Sequence, residues 1–443
     1  MSGYMKGVSK IIIAAIICVV IVVAAVGYYF FLMPKAPEKS EILVGASICL
    51  TGNLGKTGQD ILKAYELFIE IVNEDGGVYV KDLGRKLPLR LIYYDDKSDT
   101  STAATNTERL ILVDGVDFLL GSHGSMLGVA MSNVANKYKV PLIGPLGSTL
   151  TYELNRHNYT FMSFPDVREP TPEQKSQLEQ MYGAAAVKEF IEGRPQMTKL
   201  PFELFAPLLG GSIKLAIIVD DTDLGLMMKD EVHKLVEAGE GVYQNVEIVY
   251  ETIFQPGLSD FSAIILAAKE SGAEYLLSEP SVTDAVTLMT QMKELGWHPK
   301  VVQLQRATSA AELVTLLGKD LAAGVCNIGT NNPLQDPEFQ ELMQRWRVKY
   351  NEEPTTTQVG NCLSPRLLVE AIEKAGSIDR EKVREALSNM DTTIYGGKIK
   401  FPLGLGHSVV TVTVMQYDNN GNQKYVYPPD QADATVIFPK PWD

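Results

Sequence analysis

Gly55-Lys56-Thr57 combines the residue types of a phosphate cradle: a glycine for close backbone approach, an ammonium and a hydroxyl. A phosphate-binding loop of that kind also needs a glycine five residues earlier, and Leu50 stands there. Without it the backbone makes a poor cradle, and nucleotide hydrolysis is excluded. A ligand-lining loop and a plain strand–helix turn both remain open for residues 51–58. Gly121-Ser-His-Gly-Ser125 is a second candidate. Free backbone N–H groups and the dipole at a helix start there favour an anion, and the serines add hydroxyl donors. The purely structural reading is that Ser125 caps its helix. A third loop, Pro145-Leu-Gly-Ser-Thr149, carries Ser148 and Thr149, which suit a turn as well as a ligand.

Carboxylates cluster at Asp95-Asp96 and at Asp220-Asp221-Thr-Asp223. Such clusters hold metals or move protons when suitable partners join them. The five histidines (123, 157, 233, 298, 407) are scattered and form no HxxxH pair. Helix N-capping is therefore expected of residues 220–223. The serines of these loops lack the GxSxG setting of a nucleophile elbow. The sequence predicts no catalytic set, no metal site and no cofactor, hence a chain that is not an enzyme. Cys49, Cys326 and Cys362 form no CxxC and no zinc spacing. Buried free thiols are expected, with one disulfide among them as the alternative.

The elements that must position these loops alternate. Strands are expected at 42–50, 87–94, 116–120 and 140–143, separated by helices near 59–74, 101–113 and 125–137. After a Pro- and charge-rich break at 165–172 come a helix near 174–192 and an irregular stretch, 194–211. A second block then places strands at 213–219, 246–252, 275–277 and 301–304, with helices at 224–238, 260–269 and 283–295. Late strands are expected at 396–401 and 409–417. This alternation is that of parallel sheets with crossover helices, and ligands gather at the carboxyl ends of such strands. A chain of 443 residues is also long enough for two domains.

The net charge is −14, and the first 39 residues contribute four Lys and one Glu, so the remainder is more acidic still. Such a body repels phosphate backbones, and nucleic acid is excluded as a partner. Residues 11–33 carry no charge. As a helix they would span about 34 Å, enough to cross a bilayer core. Lys6 and Lys10 precede them, which favours a cytoplasmic N-terminus and a body outside. A single-pass anchor is expected, followed by a Pro-containing linker at 34–40. A cleaved secretory signal and a prepilin-type signal cut after Gly7 are the alternatives.

In order along the chain, several landmarks resemble the type I periplasmic binding proteins of the branched-chain amino acid class, the receptors of ABC importers. They are Leu50-Thr-Gly52 with Gly58, Val72-Asn-Glu-Asp-Gly-Gly77, Tyr94-Asp-Asp96, Leu110-Ile-Leu-Val-Asp-Gly-Val116, Gly121-Ser-His-Gly-Ser125, Val140-Pro-Leu-Ile143, Ile217-Ile-Val-Asp220, Ala371-Ile-Glu-Lys-Ala-Gly-Ser377 and Tyr395-Gly-Gly-Lys-Ile-Lys-Phe401. The resemblance implies two Rossmann-like α/β lobes joined by three crossovers near 164, 330 and 393. Lobe 1 would be 41–163 with 330–392, and lobe 2 would be 164–329 with 393–443, preceded by a cytoplasmic stretch at 1–10 and the anchor. It implies a ligand carboxylate at Gly124 and Ser125, further contacts from Leu146, Gly147 and Ser148, and ammonium contacts from lobe 2. Where the family often has an acid, Gln305 and Arg306 stand, with Glu279 the nearest acid on the neighbouring strand. Aromatic covers common in the family are replaced by Thr57 and Leu224, and Arg306 suits a second anionic group instead. The implied function is capture of an amino acid or related small carboxylate for an ABC permease, with a ligand-sensing ectodomain acting through a signalling partner as the alternative.

Overall fold

Near-continuous apolar runs such as Ile42–Ile48 and Ile213–Asp220 form strands covered on both faces, the pattern of a parallel sheet between helices. The computed structural model describes residues 39–147, 149–163, 170–193, 199–309, 312–330, 333–409 and 412–442. The expected anchor, 11–33, lies outside the described residues. No helix among those described is long and apolar enough to cross a membrane.

The strands are β1 (Ile42–Ile48), β2 (Val78–Val80), β3 (Arg85–Leu87), β4 (Leu89–Asp95), β5 (Phe118–Leu120), β6 (Leu142–Gly144) and β7 (Thr160–Met162), then β8 (Ile213–Asp220), β9 (Val246–Phe254), β10 (Tyr275–Glu279), β11 (Val301–Leu304) and β12 (Val325–Thr330). The last are β13 (Asp391–Ile394), β14 (Gly397–Lys400), β15 (Gly406–His407), β16 (Val412–Tyr417) and β17 (Gln423–Tyr427). One sheet has the order β15-β7-β6-β5-β1-β4, with every neighbour parallel. The other has the order β17-β16-β12-β11-β10-β8-β9, five parallel strands extended by the antiparallel pair β16–β17. Each sheet has its own core. Tyr65, Phe118, Phe161 and Trp346 pack around the first, while Phe261, Leu288 and Val302 pack on one face of the second and Phe202, Phe205 and Tyr275 on the other.

Lobe membership departs from the expected boundaries in two places. β13 and β14 form a hairpin whose Ile394, Ile399 and Phe401 are buried in the first core, with Phe401 edge-on to Phe161 at 5.2 Å. The chain stays with the first sheet through β15, so it passes to the second after His407 rather than near 393. The helices Pro172–Tyr182 and Ala184–Glu192 also pack on the first lobe, through Leu178, Val187 and Phe190 against Leu150 and Leu403. The helix Lys199–Leu208, in the stretch expected to be irregular, belongs instead to the second core, where Phe202 meets Tyr275 edge-on. The first passage therefore falls between 193 and 199, not near 164. Cys49, Cys326 and Cys362 are buried free thiols.

The passages also show how the sheets are related. β15 leaves the first sheet at His407, beside Met162, at the carboxyl end of that sheet. Five residues later Val412 pairs with Thr330 at the carboxyl end of β12. Five residues reach at most about 18 Å. The carboxyl edges of the two sheets are thus tied together on one side.

Candidate functional site

Three loops meet at the carboxyl edge of the first sheet. The loop after β1 is clamped by Asp95, which accepts hydrogen bonds from the backbone N–H groups of Leu50 (3.0 Å), Thr51 (3.2 Å) and Lys97 (2.8 Å) and from the Thr51 hydroxyl (2.7 Å). Partial burial would raise this carboxyl, but the bonds from Thr51, Lys97 and Leu50 together hold it below the usual range. The Asp95-Asp96 pair is thus a loop clamp. Its second member, buried and bonded to Ser98 and Ser47, is pushed up to about 6 by desolvation. The loop after β5 is held from behind, Ser122 Oγ accepting from the Cys49 N–H at 3.2 Å.

The helix Ser125–Tyr138 opens on Gly124, whose φ of 110° favours glycine and which has no side chain of its own to cap the helix. Ser125 is the first helical residue rather than the cap. Its position against the third loop is set by Gly147, also left-handed (φ 87°). A Cβ on Gly147 would fall 2.5 Å from the Ser125 nitrogen and 2.8 Å from its Oγ. Gly147→Ala is accordingly expected to push the Ser125 helix start away. Any ligand held there should bind at least tenfold more weakly in calorimetry, with the fold retained by circular dichroism; unchanged affinity would remove Gly147 and Ser125 from the site.

A charged cluster occupies the corresponding edge of the second sheet. Asp220 ends β8, Glu279 ends β10 and Arg306 follows β11; the sheet order makes the three strands neighbours. The Arg306 guanidinium is ion-paired through Nη2 to Asp220 Oδ2, and Nη2 also donates to the Glu279 carbonyl at 3.2 Å. The Arg306 backbone N–H donates to Glu279 Oε2 at 3.0 Å, and its Nε lies 3.7 Å from Glu279 Oε1. Both acidic side chains are 0% exposed, whereas that of Arg306 is 36% exposed. Burial pushes the Glu279 carboxyl up to about 8, against the opposing pull of Arg306. Asp220 is therefore not a helix cap. Thr222 caps the helix Asp223–Ala238, and its hydroxyl donates to Asp220 Oδ1 at 2.6 Å.

Two further titratable residues stand at or near the first-lobe loops. His123, between Ser122 and Gly124, is exposed, yet the protein around it desolvates the imidazole and lowers its pKa. Lys56, on the first lobe, is partly desolvated but is held above its ordinary value by Asp60, Glu352 and Glu312. Glu312 begins a helix whose Leu313 and Leu317 belong to the second core.

Of the expected site residues, Gly124, Ser125 and Gly147 are brought together, and so are Glu279 and Arg306. Thr57 is exposed in the first turn of the helix Gly55–Glu74, and Leu224 is half-buried at the start of its helix beside Asp220. The Leu146 side chain is fully buried in the core and its carbonyl accepts from Tyr152 Oη at 3.1 Å, so any ligand contact from it is by the backbone. Ser148 lies outside the described residues. Sequence reasoning passed over Asp220 and His123 as site residues. A groove of about 610 Å³ lined by Glu66, Glu70, Leu91 and Lys349 lies on the far half of the helix Gly55–Glu74, away from these edges.

Two α/β lobes with anion- and cation-bearing loops at tethered carboxyl edges define a two-lobed solute-binding protein. The family description "Periplasmic binding protein" matches residues 41–422, and the chain belongs to that family. It is similar to a Leu/Ile/Val-binding protein homolog 7 of Brucella abortus (strain 2308), 24% identical over 420 residues that cover 91% of this chain and 96% of the relative. In fold it matches the branched-chain amino acid transporter substrate-binding protein LivJ of Streptococcus pneumoniae in complex with isoleucine (TM-score 0.67, 20% identity, 88% of this chain and 100% of that one). An ABC transporter solute-binding protein of R. palustris in complex with benzoate matches as well (TM-score 0.62, 16% identity, 90% and 97%).

Proposed function

We propose that this chain is the extracytoplasmic receptor of an ABC importer, capturing an amino acid or related small carboxylate by closure of its lobes. The observation that carries the reading is the helix start at Gly124–Ser125, packed on Gly147, at one carboxyl edge, with Arg306 on the edge tethered to it. Backbone N–H groups at a helix start suit a carboxylate, and lobe closure would add second-lobe contacts available only in the closed state. Relatives named as Leu/Ile/Val-binding proteins, and neighbours holding isoleucine and benzoate, support a small carboxylate as the ligand class. Residues 11–33 would hold the receptor at the membrane beside its permease, by the length and lack of charge of that run.

The test is a thermal-shift screen of residues 40–443, which contain the whole described fold, against amino acids, dicarboxylates, aromatic acids and non-acidic sugars. A ligand at about 100 times its Kd stabilises by about 2.7 kcal/mol through mass action. The expected result is a shift with one class of small carboxylates and none with sugars. A shift with sugars alone would overturn the reading.

A further inference from the structure

The second-lobe edge is where an amino acid's ammonium would need an acidic partner, and both acids there are already engaged by the chain itself. Asp220 receives the Thr222 hydroxyl on one oxygen and the Arg306 guanidinium on the other. Glu279 receives the Arg306 N–H on Oε2, while its Oε1 is buried, 3.7 Å from Arg306 Nε, with no hydrogen-bond partner among the described residues. Neither side chain has any solvent exposure. For an ammonium to reach either carboxyl group, it would have to displace a guanidinium held by two carboxyl groups and a carbonyl. Breaking such a pair leaves a buried carboxylate uncompensated, which is costly.

The exposed charge of the cluster is therefore positive. A guanidinium has five N–H donors; Nη2 is engaged in hydrogen bonds among the described residues, while Nε is buried against Glu279, so the donors left for a ligand are those of Nη1. Burial that holds Glu279 near 8 adds to this, because a carboxyl group protonated at neutral pH offers an ammonium no charge. Resting on the small-carboxylate reading above, we infer that Arg306 takes the place of a ligand ammonium, so that the site selects carboxylic acids lacking an α-amino group and carrying a second acceptor, such as 2-oxo acids or dicarboxylates. Arg306 is thus the specificity-determining residue, its fork aimed at an oxygen acceptor and its charge opposed to an ammonium.

Calorimetry on the full-length protein with matched pairs tests this: leucine against 4-methyl-2-oxopentanoate, phenylalanine against phenylpyruvate, and glutamate against 2-oxoglutarate. In the pair whose side chain fits, the amino-free acid is expected to bind at least tenfold more tightly. Arg306→Gln, which removes the guanidinium but keeps a polar side chain, should weaken binding of that acid at least tenfold. Equal or tighter binding of an amino acid, lost in Glu279→Gln, would overturn the inference while leaving the small-carboxylate reading intact. Binding of neither member of any pair, with a response to uncharged solutes instead, would overturn both.

Discussion

Arg306→Met is expected to destabilise the protein by about 3–5 kcal/mol at neutral to alkaline pH, the usual cost of removing one partner from a buried ion pair. Methionine fills much of the volume, so the loss reports charge and hydrogen bonding rather than a cavity. Asp220 would keep only the Thr222 hydroxyl, and Glu279 would lose the nearby positive charge that opposes its desolvation. The pH dependence is specific. Glu279 has its folded pKa raised from an ordinary 4.5 to about 8. A raised carboxyl group contributes stability that is full below the unfolded value and is lost as pH rises through the folded one. The variant, with that pKa raised further, should therefore differ least from the native chain near pH 5 and most above pH 8. Urea midpoints across pH 5–9 measure this. A loss under 1 kcal/mol, or one independent of pH, would mean that Arg306 is not the counter-charge of this cluster.

That cluster also shows where sequence reading stops. The residues lie 86 and 27 positions apart, and only the strand order β11-β10-β8 makes them neighbours. Sequence pattern locates strands but not their order, so Glu279 looked available for an ammonium and Asp220 looked like a cap. The first-lobe loops were easier to read, because Gly124, Ser125 and Gly147 act through local backbone geometry at strand ends, which glycine and serine advertise. A loop position says nothing about side-chain direction, and the Leu146 side chain turns back onto Gly121 in the core. Alternating apolar runs announced both sheets. The boundary expected near 393 put the hairpin β13–β14 with the second lobe, because Ile394, Ile399 and Phe401 mark a buried face without saying which core covers it.

The same limit hid the clasp that fastens β15, the strand from which the chain leaves the first lobe. Glu153 Oε1 accepts the backbone N–H of His407 at 2.9 Å and lies 2.7 Å from its Nδ1, with both side chains fully buried. The two-residue strand pairs with β7 among the described residues, and this carboxyl group adds a buried side-chain anchor to that short pairing. Tyr182 Oη donates to the Glu153 carbonyl at 2.6 Å, tying the helix Pro172–Tyr182 to the same point. Glu153→Ala leaves a buried backbone N–H and a buried ring nitrogen without their acceptor and opens a cavity. A loss of about 3–5 kcal/mol follows. Gly406→Ala should act on the same contact from the other side, because at φ 69° its Cβ would collide with the Glu153 carboxyl group. Two changes to one contact are not additive. The double variant should therefore lose clearly less than the sum of the single losses, and amide exchange should rise first in β15 and β7. Full additivity would mean that Gly406 and Glu153 stabilise the strand independently, and that the clasp is not what holds the lobe passage in place.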